Sequence, residues 1–275
     1  MKIVNSEVVN KERKHVSFSE IYLHDKCPFK HHKSYNLGER EDSNFYAMFG
    51  TSLHEAIEEK WKNGNELAWI KMTKRILLAA EYFAEGEKKY QNKTPQQWAK
   101  AGLRIYRDFF PWFKENFPDC ELYDMEMRID ESFEGFERNF VGYIDLIVYD
   151  KKEDIYHIID LKTAGWGWGK KQLQDTQKLY QVILYKYFFC KIKKIDAANV
   201  KCHYVLLLRD PPKSKKYAMV IHSVTSGARK VNNAVSWVEK TLKRIKRGII
   251  LKSPATCSFC ICGAAENKFL KKKVR

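Results

Sequence analysis

VGYIDLIVYDKKEDIYHIIDLK, residues 141–162, decides the fold. Its two halves are rich in Val, Ile and Tyr, and the short polar turn DKKED separates them. That pattern reads as two antiparallel strands joined in a hairpin. With the turn centred near residue 152, Asp145 and Asp160 fall roughly opposite one another. Strand side chains alternate, so Asp145 shares a face with Tyr143 and Ile147, and Asp160 shares one with Lys162. Opposed residues lie about 5 Å apart at Cβ, and two carboxylates that close repel unless positive charge lies between them. A divalent cation and the Lys162 ammonium would both supply it. Hard cations such as Mg²⁺ choose carboxylate oxygens and keep several waters. A solvated hairpin with a surface salt bridge is the alternative. Against it, both acids are embedded in apolar runs, where a lone carboxylate is costly to bury. Spacing alone leaves the two readings open.

The rest of the chain frames this hairpin. Ser17 and Glu20 are spaced as a capping box and predict a helix from about 18, which Pro28 kinks or ends. AMFGTSLHEAIEEKWKNG predicts a helix closed by Gly64, and residues 66–118 keep a helical period. From 122 the period changes to two, and LYDMEMRIDESF precedes the hairpin as a further strand. A long helix over roughly 171–190, two more strands (VKCHYVLLL and KYAMVIHSVT) and a last helix with a basic end follow. The expectation is an α/β fold: a central mixed β-sheet flanked by helices, with a helical insertion at about 65–120. The predicted organisation is an N-terminal tail (1–16), one domain (17–262) ending in a cysteine cluster, and a basic tail (263–275).

Lys and Arg number 50 against 34 Asp and Glu, a net charge of +16. That excess favours a polyanionic partner. Basic runs lie at Lys11–Lys14, Lys213–Lys216, Lys240–Arg247 and Lys271–Arg275. No apolar run approaches a membrane span, and MKIVNSEVVNKERKH has no signal-peptide core. A cytoplasmic protein (host cytoplasm if the source is a virus), without membrane contact, is the expectation. Gln181 and Tyr185 share a face of the helix behind the hairpin, and amides and phenols can bind phosphate oxygens without sequence choice. Trp166 and Trp168 sit among glycines just after Lys162. They can stack on unpaired bases or pack on the domain.

Taken in order, four motifs resemble the RecB-like branch of the PD-(D/E)XK nuclease superfamily, the type of phage exonucleases and CRISPR-adaptation nucleases. They are Gly50-Thr51-Ser52-Leu53-His54, Gly142-Tyr143-Ile144-Asp145, Asp160-Leu161-Lys162 and Gln181-Val182-Ile183-Leu184-Tyr185. The resemblance spans about 17–262 and implies a restriction-endonuclease-like fold. It implies a metal-dependent DNA nuclease, most simply an exonuclease in DNA processing, recombination or repair. Its Mg²⁺ or Mn²⁺ would be held by His54, Asp145, Asp160 and the Leu161 carbonyl, with Lys162 catalytic and with Gln181 and Tyr185 positioning DNA. Glu126 matches an acid often present on the first strand and is taken as a supporting residue. His54, beside Glu55 and Glu58, would otherwise read as part of a solvated helix face.

The branch often carries an iron–sulfur cluster. Cys27, Cys257, Cys260 and Cys262 match its cysteines, although the last follows Cys260 after one residue instead of several. A [4Fe-4S] cluster, zinc held by Cys27, His31 or His32, Cys257 and Cys260, and no metal at all stand as alternatives. Cys120, Cys190 and Cys202 read as small buried hydrophobes. A non-catalytic nucleic-acid-binding module, or a cluster-stabilised subunit of a recombination complex, is the competing functional reading. With no P-loop in the chain, unwinding would fall to a helicase or recombination partner.

Overall fold

The computed structural model describes residues 13–39, 44–86 and 92–251. In chain order the elements are β1 (His15–Val16), α1 (Phe18–Lys26), α2 (Pro28–His31), α3 (Phe45–Asn63), α4 (Ala68–Gly86), α5 (Pro95–Asn116), β2 (Cys120–Ser132), β3 (Asn139–Asp150), β4 (Ile155–Ala164), α6 (Lys170–Leu173), α7 (Thr176–Lys193), β5 (Val200–Leu208), β6 (Met219–Val224) and α8 (Ala228–Lys246). A π-helical turn over His32–Asn36 follows α2. The strands run β1-β3-β4-β5-β6, with β2 also pairing with β3. The sheet is mixed: β3 with β4 and β5 with β6 are antiparallel, while β1 with β3 and β4 with β5 are parallel. The fold is the expected α/β arrangement with a central mixed sheet.

Local chemistry explains the helix boundaries. Ser17 accepts the Glu20 N–H at 3.2 Å and starts α1. Cys27 leaves helical geometry, so Pro28 opens a new short helix at a position where its missing N–H costs nothing. Gly64 ends α3 with a left-handed φ of 65°. One boundary departs from expectation. The predicted helix over 171–190 is two helices, because Asp175 breaks out of helical geometry and its side chain accepts the Lys178 N–H at 3.2 Å. An interior residue of a continuous helix could not cap in this way.

The chain divides into two compact units. The larger comprises 43–128 and 143–230. In it one sheet face, with Leu146 and Val148 of β3, Ile159 and Leu161 of β4, and Val205 and Leu207 of β5, joins a core built from α3, α4 and α5. Phe49, Leu53, Ile76, Trp98, Ile105 and Phe109 fill that core. The other face carries α7, where the Tyr204 hydroxyl donates to the Lys178 carbonyl at 2.9 Å. Strands β4 and β5 are thus covered on both faces, which is why they read as nearly continuous apolar runs.

The smaller unit comprises 1–42, 129–142 and 231–275. Its centre is the buried Glu20 carboxylate, which accepts from Arg138 at 2.9 and 3.0 Å and lies 3.2 Å from His31 Nε2. Burial alone would raise this carboxyl; His31, Arg138 and Arg13 reverse that and hold it low. Lys240, Lys243, Arg244 and Arg247 of this unit line a surface recess with Asp25 and Trp237. No helix of the described residues is long and apolar enough to cross a membrane.

Candidate active site

Three elements of the larger unit deliver the predicted acids and His54. The β3–β4 register runs as far as Leu146 opposite Ile159, the residues next to Asp145 and Asp160. Helix α3 crosses β4 closely: a Cβ added at Gly50 would meet Thr163 at 3.6 Å. One turn later α3 places His54 Nδ1 3.9 Å from Asp145 Oδ2. That same oxygen accepts the Leu161 N–H at 2.7 Å.

Glu126 enters through a departure from regular strand geometry. Along β2 the inward residues are Leu122 and Asp124 at first and Met125 and Met127 afterwards, so the alternation changes phase. Glu126 sits at that change with φ 53°, a left-handed backbone that side-chain-bearing residues seldom adopt. A phase change of this kind is what a β-bulge produces, and it re-aims a side chain. Donor atoms of Glu126, His54 and Asp145 all lie within 4.8 Å of one another. The family resemblance implies only a supporting role for Glu126, and strand periodicity gives no sign of the positive φ found there.

Asp160 lies beside this trio and does not belong to it. Its side chain is 1% exposed, and Lys162 Nζ lies 2.7 Å from its Oδ2. Asp160 Oδ1 is buried with no hydrogen-bond partner among the described residues. The pKa shifts follow. Burial, then Asp145 and Glu58, push Glu126 up to about 7. Burial raises Asp145 despite Lys162 and the Leu161 N–H. Burial, then Asp145, lift Asp160 to about 6 against the pull of Lys162. Burial alone would lower Lys162; Asp160 and Asp145 override it and hold the ammonium. His54 falls to about 4, from burial and the Lys162 charge, and is neutral at physiological pH.

Three crowded carboxyls and a neutral imidazole face the Lys162 ammonium, and Asp160 Oδ1 has no donor among the described residues, so the set is short of positive charge. The residues fit a divalent cation of the Mg²⁺ or Mn²⁺ kind, which would supply the missing positive charge and a partner for the carboxylate oxygens.

On α7, Gln181 Nε2 donates to the Tyr185 hydroxyl at 2.9 Å. Tyr185 is buried, and its hydroxyl is raised chiefly by burial and then by the Asp160 charge. The two loop tryptophans part company. Trp168 packs on the domain, parallel to His222 at 6.0 Å, against Tyr204 at 4.9 Å and under Lys178 Nζ at 4.0 Å. Trp166 is 80% exposed. Cys27 is buried and its sulfur accepts the Lys30 N–H; Cys257, Cys260 and Cys262 lie outside the described residues. The His31 ring is already engaged by Glu20.

This geometry can be set beside known proteins. The chain is similar over 96% of its length to the crystal structure of "Putative exonuclease" from Eubacterium rectale, covering 93% of that chain at 14% identity with a TM-score of 0.56, a likeness of fold. A second solved structure, SSO0001, aligns over 90% of this chain and 94% of that one at 16% identity, with a TM-score of 0.35. No curated protein matches the sequence. A model of the PD-(D/E)XK nuclease superfamily matches residues 15–264. With nearly the whole chain matched, the protein belongs to the PD-(D/E)XK nuclease superfamily.

Proposed function

We propose that the protein is a metal-dependent deoxyribonuclease that hydrolyses phosphodiester bonds at DNA ends. The observation that carries this reading is the convergence of His54, Glu126 and Asp145 within 4.8 Å, with the Lys162–Asp160 pair alongside on the central strand β4. His54, Glu126 and Asp145 would hold Mg²⁺ or Mn²⁺, and Asp160 would complete the anionic side of the site. Such an ion supplies Lewis-acid polarisation of the phosphoryl oxygen and an acidified water.

The chain's own groups do the rest. The Leu161 N–H fixes one Asp145 oxygen and so the direction of the other. Lys162, kept charged by Asp160 and Asp145, faces the negative charge that develops on the phosphoryl oxygens as water adds to phosphorus and the ester P–O bond breaks. The Gln181–Tyr185 pair positions the backbone, and exposed Trp166 offers a face on which an unpaired base can stack. The net charge of +16 and the basic recess on α8 suit a polyanionic strand.

The test uses purified protein on end-labelled single- and double-stranded DNA, with Mg²⁺ and then EDTA, beside Asp160→Asn. Cleavage is expected with Mg²⁺ only, and is expected to be lost in the variant. DNA binding without metal-dependent cleavage would instead favour a non-catalytic binding module. Blocked ends in place of free ends separate exonucleolytic from endonucleolytic action.

A further inference from the structure

The opposite ends of the same strands carry a second convergence. Cys120 opens β2, Asp150 closes β3 and His157 lies near the start of β4. Their donor atoms all lie within 4.8 Å of one another. Strand rise sets Asp150 about 16 Å from Asp145 along β3, so the cluster is separate from the nuclease site.

Each side chain is held in place. Asp150 Oδ1 accepts the N–H groups of Lys152 and Glu153 at 2.9 and 3.1 Å, which orients the carboxylate and leaves its second oxygen to another partner. His157 Nδ1 lies 3.0 Å from His203 Nε2, and His203 Nδ1 lies 3.1 Å from Ser223 Oγ. The two imidazoles stack at 5.2 Å, and Phe117 packs edge-on against both, at 5.3 and 6.0 Å. When His157 Nδ1–H donates to His203, the lone pair of its Nε2 is left to act as a ligand. A ring nitrogen anchored by a further hydrogen bond is the usual support of a metal-ligating histidine.

We propose that Cys120, Asp150 and His157 form a Zn²⁺ site that ties together β2, β3 and β4. A thiolate and an imidazole select a borderline-soft cation over Mg²⁺, and three protein ligands leave the fourth tetrahedral position to water. Binding breaks the Cys120 S–H bond, forms a sulfur–metal bond and releases the proton to solvent, with no change of oxidation state. The three ligands come from three strands, so the metal's binding free energy adds to folding. The site is independent of the nuclease reading and adds a second metal to it.

The test loads the full-length protein with Co²⁺ in excess Mg²⁺, which keeps the carboxylate centre filled, and follows the near-ultraviolet thiolate-to-Co²⁺ charge-transfer band. The band is expected in the wild type and absent in Cys120→Ser. His203→Phe, which keeps the stacked ring but loses the hydrogen bond, should weaken Co²⁺ binding by about 10–100-fold. Zn²⁺ should raise the melting temperature of the wild type and not of Cys120→Ser. No band in the wild type overturns the proposal, and so does an unchanged band in Cys120→Ser, which would assign the sulfur to another cysteine. Circular dichroism checks that Cys120→Ser is folded. Asp150→Asn, at a surface turn, is the second variant, and undiminished Co²⁺ affinity in it also overturns the assignment.

Discussion

Glu126 holds a left-handed backbone inside a strand, a conformation that costs of order 1–3 kcal/mol. Its carboxyl is also held up to about 7 by burial, then by Asp145 and Glu58. A carboxyl raised on folding contributes stability below its ordinary range, and that contribution is lost as pH rises through the folded value. Glu126→Gln should therefore raise the melting temperature of EDTA-treated protein at about pH 8, where the native state must carry the charge, and change little at about pH 5. The same variant should raise the Mg²⁺ concentration for half-maximal cleavage about tenfold or more. Equal melting shifts at both pH values would sink this account. Lys162→Met should lower the cleavage rate by about 10²–10³-fold with DNA binding largely kept, as removal of a transition-state donor does; single-turnover rates measure it. Trp166→Ala should cost about 1–3 kcal/mol of single-strand affinity and leave duplex affinity nearly unchanged, read by fluorescence anisotropy. Trp168 has its ring occupied by His222, Tyr204 and Lys178, so it is not the better probe.

Among the elements, the split between α6 and α7 turns on Asp175. Its side chain caps α7, which carries the Gln181–Tyr185 pair. Asp175→Ala should lower stability by about 0.5–2 kcal/mol in chemical denaturation. The β3–β4 hairpin was legible because two apolar runs and one polar turn favour one pairing, and the observed antiparallel register ends at Leu146 and Ile159, next to Asp145 and Asp160. The change of phase in β2 was not legible. Nothing in YDMEMRI distinguishes a regular strand from one that holds a left-handed residue, because backbone conformation at one position is not encoded by alternation.

For the whole molecule, the charge of +16 sets how it meets its partner. If the basic surface tracks a phosphate backbone, affinity measured with non-catalytic Ca²⁺ should fall by about 10³–10⁵ between roughly 50 and 200 mM salt; a flat dependence would show that those charges do not touch DNA. The sequence by itself determined the α/β class, the helical block before the sheet, the hairpin, and the superfamily through four motifs at fixed spacing. Those features are local: periodicity, turn chemistry and residue type along one stretch of chain carry them. Only the tertiary structure decided that Glu126 joins His54 and Asp145, that Asp160 is held by Lys162 beside them, and that Trp168 packs while Trp166 is exposed. It alone brought Cys120, Asp150 and His157 together, where the sequence offered a buried cysteine, a turn acid and a strand histidine. Residues distant along the chain become neighbours through strand register and helix packing, and no local pattern encodes which atoms then converge.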